Sequence, residues 1–152
     1  MPPIFDKLNL KHERELLVCN APLSFEPHLA ALADVTVHRS ASACQTVGFA
    51  LVFETRQAEL DAMCATLCAK AEGDATLWIA FPKQSSRRYR CEFGRDTGWH
   101  VLAGLGYEPV RMVAIDDDWC ALRFRKIEFI KSFTRDAARA GTVAGKRRAT
   151  AR

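Results

Sequence analysis

The segment 81–99, FPKQSSRRYRCEFGRDTGW, holds most of the side chains in this sequence that could do chemistry. Serine hydroxyls, lysine and arginine all donate hydrogen bonds to anionic oxygen atoms, and arginine can hold a phosphate or carboxylate with two bonds. The residues predicted to form such an anion site are Lys83, Ser85, Ser86, Arg95 and Asp96. The alternative is a solvated loop, in which the serines cap turns, the arginines face water and Asp96 caps a helix.

The position of this segment is the second reason to expect a site there. It follows an apolar strand predicted at 75–81 and precedes a helix predicted at 97–105, which Gly106 ends. Ligands of open α/β sheets usually sit where strands end, and a helix N-terminus favours negative charge. Further residues predicted to line the pocket are Asn20, Trp99, His100 and Trp119. His100 is either a proton carrier or a helix-surface residue, and both tryptophans could instead anchor the core.

The rest of the sequence alternates between strand and helix patterns. Predicted strands cover 14–20, 35–38, 47–53, 75–81, 110–115 and 119–125, and predicted helices cover 25–33, 57–71 and 97–105. This order predicts a three-layer α/β sandwich, a shortened Rossmann-like domain with a mostly parallel sheet. The last two strands are predicted to form an antiparallel hairpin at its C-terminal end.

Charge divides the chain into two parts. The 152 residues carry a net charge of +4. Residues 131–152 hold seven basic residues and one acidic residue, a net charge of +6, which leaves −2 for residues 1–130. We therefore predict one folded domain at 1–130 and a basic, disordered tail at 131–152. The tail could bind nucleic acid or another polyanion, or it could simply raise solubility.

The cysteines and the N-terminal sequence indicate a cytoplasmic protein. No secretory signal or membrane-spanning run is recognisable, and the six cysteines have no paired CxxC spacing. Cys64 and Cys68 lie one helical turn apart without further ligands nearby, so buried thiols are expected rather than a metal site. Cys91 lies among arginines that could lower its pKa, but no base accompanies it, and no catalytic residue is assigned.

Two resemblances to known families add to this interpretation. The segments LLVCNAP (16–22), PKQSS (82–86), RDTGW (95–99) and WCALRFR (119–125) together resemble an uncharacterised bacterial family of small Rossmann-like proteins. That resemblance spans about residues 7–125 and implies fold and site location, without an activity. The order of the last elements is also similar to the second half of class I S-adenosylmethionine methyltransferases, of which this chain would be a shortened version.

The methyltransferase resemblance requires a glycine-rich turn after the first strand, so that the backbone can approach the cofactor. Residues 18–23, VCNAPL, contain no glycine, and the second strand ends in His38 and Arg39 instead of an acid. No cofactor is therefore predicted. The first hypothesis is a non-catalytic binding or regulatory module that recognises a small anion or a protein partner at 83–96. The alternatives are a methyltransferase-type enzyme with a degenerate cofactor loop and polyanion binding through the tail.

Overall fold

A computed structural model of the protein describes residues 2–130. The strands are β1 Glu15–Cys19, β2 Thr36–His38, β3 Val47–Phe53, β4 Ala71–Pro82, β5 Tyr107–Ala114 and β6 Trp119–Lys126. The helices are α1 Pro3–Lys7, α2 Glu26–Ala30, α3 Gln57–Lys70 and α4 His100–Gly104. The prediction of a basic tail at 131–152 lies outside the described residues. None of the helices in the described part of the chain is long and apolar enough to cross a membrane.

The strands form one mixed sheet in the order β2-β1-β3-β4-β6-β5. The pairs β1–β2, β1–β3 and β3–β4 are parallel, whereas β6 is antiparallel to both β4 and β5. The predicted α/β class, the mostly parallel sheet and the C-terminal antiparallel hairpin are therefore confirmed. Because β2 lies on one side of β1 and β3 on the other, the direction in which strands are added reverses between β1 and β3. Such a reversal point is where open α/β sheets usually bind ligands.

Buried side chains pack on both faces of the sheet, which explains the continuous apolar runs of its central strands. Leu60, Cys64 and Leu67 of α3 pack against one face, which also carries Leu17 of β1. The other face is packed by residues of α1, the segment after it, and α2. There the fully buried Trp78 donates its indole N–H to the carbonyl of Leu8 at 2.7 Å, which ties the N-terminal segment to β4.

Several predicted elements differ from the structure, among them β5, which begins at Tyr107 instead of 110. The helix expected at 25–33 is a 3-10 turn, Leu23–Phe25, followed by the five-residue α2. Strand β4 begins four residues earlier than expected, directly after α3, with Gly73 in the left-handed region at φ +58°. Helix α4 begins at His100 instead of 97, because Gly98 has φ +97° and Gly94 pairs with Thr97 in a short bridge.

Candidate functional site

Two clefts open at the edge of the sheet where the parallel strands end. We call the first the loop cleft; it has a volume of about 970 Å³ and lies between the segment after β4 and the β5–β6 hairpin. Four of the five predicted anion-site residues line it, namely Lys83, Ser86, Arg95 and Asp96, whereas Ser85 does not. Arg90 lines it as well. The structure therefore brings most of the predicted anion-site residues around one cavity.

Hydrogen bonds within the loop cleft separate side chains that shape the loop from those left available. The Ser86 hydroxyl donates to Oδ1 of Asp118 at 2.9 Å and accepts the backbone N–H of Tyr89 at 3.2 Å. The Asp118 carbonyl also accepts the backbone N–H of Lys83 at 2.8 Å. Asp118 therefore joins the loop after β4 to the β5–β6 turn. Ser86 thus acts as a turn cap, as the alternative interpretation of the segment supposed.

The cations of the loop cleft differ in their pairing. Arg95 forms an exposed ion pair with Asp96 at 3.2 Å. The side chains of Lys83 and Arg90, by contrast, have no acidic partner among residues 2–130. Because α4 has only five residues and begins beyond the cleft, the expected contribution of a helix dipole is not available there. Lys83 and Arg90 are therefore the two side chains of the loop cleft that are available to hold an anion.

Trp99 and His100 line neither cleft. The Trp99 indole N–H donates to the carbonyls of Gly94 at 2.8 Å and Arg95 at 3.0 Å. Its ring packs against the rings of Phe81, Phe93 and Phe124, with centroids 4.8 to 5.6 Å away. Nε2 of the exposed His100 lies 3.3 Å from a carboxylate oxygen of Asp61 on α3. Trp99 therefore fixes the loop to the core, and His100 pairs with a helix on the sheet face.

The second cavity, which we call the switch-point cleft, has a volume of about 790 Å³ and lies where strand addition reverses between β1 and β3. It is bounded by the segments that follow β1, β2 and β3, together with one side of α3. Its lining includes Cys19, Asn20, Arg39, Glu54, Glu59, Met63, Tyr89 and Trp119. Two predicted lining residues, Asn20 and Trp119, are thus found here rather than at the loop cleft. Tyr89 lines both clefts.

Glu54 is the most unusual group in the switch-point cleft, and sequence reasoning missed it. Glu54 directly follows β3, yet only 5% of its surface is exposed. Oε1 accepts one hydrogen bond, at 3.2 Å from the side-chain amide of Asn20, whose own backbone is left-handed at φ +61°. Burial, and secondarily the nearby Glu59, raise the pKa of Glu54 from its ordinary 4.5 to about 7. Glu54 can therefore gain or lose a proton near neutral pH.

Arg39, the cation in the lining of this cleft, is already committed to another acid. Its guanidinium donates two hydrogen bonds to the carboxylate of Glu26, at 2.7 and 2.8 Å. These bonds lower the pKa of Glu26 and raise that of Arg39. No ion pair within residues 2–130 joins Arg39, or any other cation, to Glu54 or Glu59. The cleft therefore has an excess of negative charge whenever Glu54 is ionised.

The cysteines are poor candidates for nucleophiles or metal ligands. Burial raises the pKa of Cys91, so the expectation that its arginine neighbours would lower that pKa is wrong. Cys19, which lines the switch-point cleft, has its pKa raised to about 11 by burial, and the buried Cys64 is shifted in the same direction. Among residues 2–130, no three His, Cys, Asp or Glu side chains group together as metal ligands.

Comparisons with known proteins give no functional assignment: no protein-family model matches the chain, and no match is found among curated proteins.

Proposed function

We propose that this protein is a cytoplasmic binding or regulatory module that holds a small anionic ligand, a phosphate or a carboxylate, in the loop cleft. One observation carries the proposal: Lys83 and Arg90 line the same cavity without an acidic partner in residues 2–130. Unpaired cations at the carboxyl edge of a sheet are suited to anionic groups, and arginine can bind them with two bonds.

The other charges of the loop cleft favour an anion as well. Asp96 is paired with Arg95. The carboxylate of Glu92 accepts the backbone N–H of Gln57 at 2.8 Å, at the start of α3, so this acid already has a hydrogen-bond donor. The net charge of these side chains, together with Lys83 and Arg90, is positive. An incoming phosphate would meet attraction from two free cations and little opposition from acids that already have partners.

Titration with inorganic phosphate and with acetate, followed by isothermal calorimetry or NMR, tests the proposal. The double variant Lys83→Ala/Arg90→Ala should weaken anion binding by about tenfold or more, because two charge-assisted hydrogen bonds are removed. Arg87→Ala is the matched control, since Arg87 is exposed in the same loop but does not line the cleft. Binding that is absent from the unmodified protein, or equal in all three proteins, would refute an anion site here.

A methyltransferase-type enzyme of shortened, three-layer Rossmann-like architecture is the second candidate. The antiparallel strands that close the sheet support it, because they match the resemblance of the last elements to class I S-adenosylmethionine methyltransferases. Against it, Asn20 and Pro22 line the switch-point cleft where that resemblance requires glycine. S-adenosylmethionine at about 100 times its Kd would stabilise the protein by about 2.7 kcal/mol, which thermal unfolding detects readily. The absence of any shift would exclude this candidate.

Binding of a polyanion through residues 131–152 is a separate proposal, supported by the net charge of +6 in that segment. Electrostatic binding to nucleic acid falls steeply with salt. A chain ending at residue 130 should therefore lose salt-sensitive binding to single-stranded DNA that the full chain has. Equal binding by both chains would refute a role for this segment.

A further inference from the structure

We propose that the switch-point cleft is a second ligand site, which takes a small organic cation, an amine attached to an aromatic or apolar body. The ammonium group would lie against Glu54 and Glu59, and the body would lie against the aromatic side of the cleft. This inference goes beyond the anion site, because it concerns a different cavity that shares Tyr89 with the loop cleft.

Glu54 is a buried acid that lines a cavity and has no charged partner among residues 2–130. Glu54 is only 5% exposed, and within residues 2–130 its single side-chain bond comes from the neutral amide of Asn20 to Oε1. Its second oxygen, Oε2, accepts no hydrogen bond from the described residues and is not fully buried. Buried carboxylates normally have a cation or several donors around them. A ligand that brings a positive N–H donor would supply what the protein does not.

The residues around Glu54 add further negative charge to the cleft. Glu59 also lines the cleft and adds a second acid, while Arg39 is held by two bonds to Glu26. The thiols of Cys19 and Cys64, which interact electrostatically with Glu54, remain neutral because burial raises the pKa of both. The chemistry that complements this arrangement is cationic, whereas an anionic ligand would be repelled from it.

One side of the cleft is aromatic, which bears on the shape of the ligand. Phe53, Tyr89 and Trp119 line it together, with Trp119 4.9 Å from the ring of Tyr89 and 5.2 Å from that of Phe53. Met63 of α3 extends the apolar surface on the other side. Aromatic rings attract cations through their faces and bury apolar bodies well. Small-molecule sites are typically such apolar clefts with a few converging polar groups.

Three probes of similar shape test the proposal: 2-phenylethylamine, 2-phenylethanol and 3-phenylpropionate, which are cationic, neutral and anionic near neutral pH. Fragments of this size are expected to bind with a Kd on the order of 10 mM, so NMR titration is the suitable assay. The amine should shift the signals of the Asn20 side-chain amide and the Trp119 indole. The alcohol and the acid should bind more weakly by about tenfold or more.

Variants separate this site from the anion site. Glu54→Gln keeps the shape of the side chain and removes its charge, and it should weaken amine binding by about tenfold or more. Glu72→Gln removes an exposed acid of β4 that does not line the cleft, and Lys83→Ala/Arg90→Ala alters the loop cleft; both should leave amine binding unchanged. The pKa of the Glu54 carboxyl, followed by NMR, should fall as amine is added.

The results that would overturn the proposal are equally specific. One is the absence of amine-induced NMR shifts in the unmodified protein at tens of millimolar probe, roughly the range in which such fragments bind. The others are equal binding of the alcohol and the amine, and undiminished amine binding by Glu54→Gln. Loss of amine binding in Lys83→Ala/Arg90→Ala together with retention in Glu54→Gln would also overturn it. Failure of phosphate to bind would leave this site standing, since phosphate tests the other cleft.

Discussion

Replacing Glu54 by glutamine should make the protein more stable above pH 7. The buried carboxyl has its pKa raised from 4.5 to about 7 by burial, so the folded protein holds this proton more tightly than the unfolded chain. Unfolding therefore releases a proton between these two pH values, and the free energy of unfolding falls as pH rises from about 4.5 to about 7. Above pH 7 both states are ionised, and the destabilisation has reached its full size.

The size of the effect follows from the two pKa values. Each pH unit between them is worth about 1.4 kcal/mol, so the complete destabilisation is about 3 kcal/mol. About 2.5 kcal/mol of this develops between pH 5 and pH 8.5, because part of it is already present at pH 5. Glutamine has no proton to exchange in this range, and its amide oxygen can still accept the hydrogen bond that Asn20 donates.

Urea unfolding of both proteins at pH 5 and pH 8.5 provides the measurement. The stability gained by Glu54→Gln should be larger at pH 8.5 by about 2.5 kcal/mol, a comparison in which the titration of all other groups cancels. The exposed Glu72→Gln should show no such difference between the two pH values. A difference below about 0.5 kcal/mol, or one of opposite sign, would refute the reasoning that ionised Glu54 is an unfavourable group in the fold.

Three further perturbations have expected outcomes by the same urea assay. Gly98→Ala should destabilise the protein by about 1–3 kcal/mol, because φ is +97° and the new Cβ would lie 2.5 Å from a phenylalanine Cβ. Gly104→Ala, which has open space around the new Cβ, should be neutral or stabilising. Equal effects of the two substitutions would contradict this reasoning. Trp78→Phe should cost about 2 kcal/mol and expose the N-terminal segment to proteolysis. Arg125→Gln should cost roughly 0.5–1 kcal/mol at pH 7. Arg125 lowers the pKa of Asp74, so this cost should vanish as pH falls below the ordinary 3.8; a loss that persists at low pH would exclude the ion pair as its source.

Strands with strong local patterns could be predicted from the sequence. The prediction at 47–53 coincides with β3, since this apolar run is bounded by polar residues. The β5–β6 hairpin was recognisable from an aspartate turn between two strand patterns. Helix α1 was not recognisable, because its five residues are too few for helical periodicity and depend on the burial of Phe5 against the rest of the protein. Residues 97–99 were predicted as the start of a helix, but Gly98 and the hydrogen bonds of Trp99 hold them in another conformation.

The sequence pointed to the loop cleft but not to the acid of the switch-point cleft. The basic segment after β4 was noticeable from residue types alone, and most of its predicted residues do line one cleft. Glu54 was overlooked, because one glutamate after a strand is ordinary in a sequence. Its unusual character comes from residues distant in the chain, namely the turn at Asn20, the helix carrying Glu59, and Tyr89 with Trp119 across the cleft. The available signal was its position, a polar residue directly after a buried parallel strand.

The balance of contacts separates Ser86 and Trp99, whose polar groups have partners within the fold, from Glu54, whose carboxylate has few. Ser86 makes bonds that shape its loop, and Trp99 donates to two carbonyls while its ring packs against three others. These contacts explain both residues without a ligand. Glu54 has one bond from a neutral amide, and its ionisation is expected to destabilise the fold by about 3 kcal/mol. Proteins tend to retain such unfavourable groups at binding or catalytic sites, where a ligand supplies the missing interactions. A cation bound beside Glu54 would remove that cost, and amine titration of the unmodified protein and of Glu54→Gln decides whether the cleft holds one.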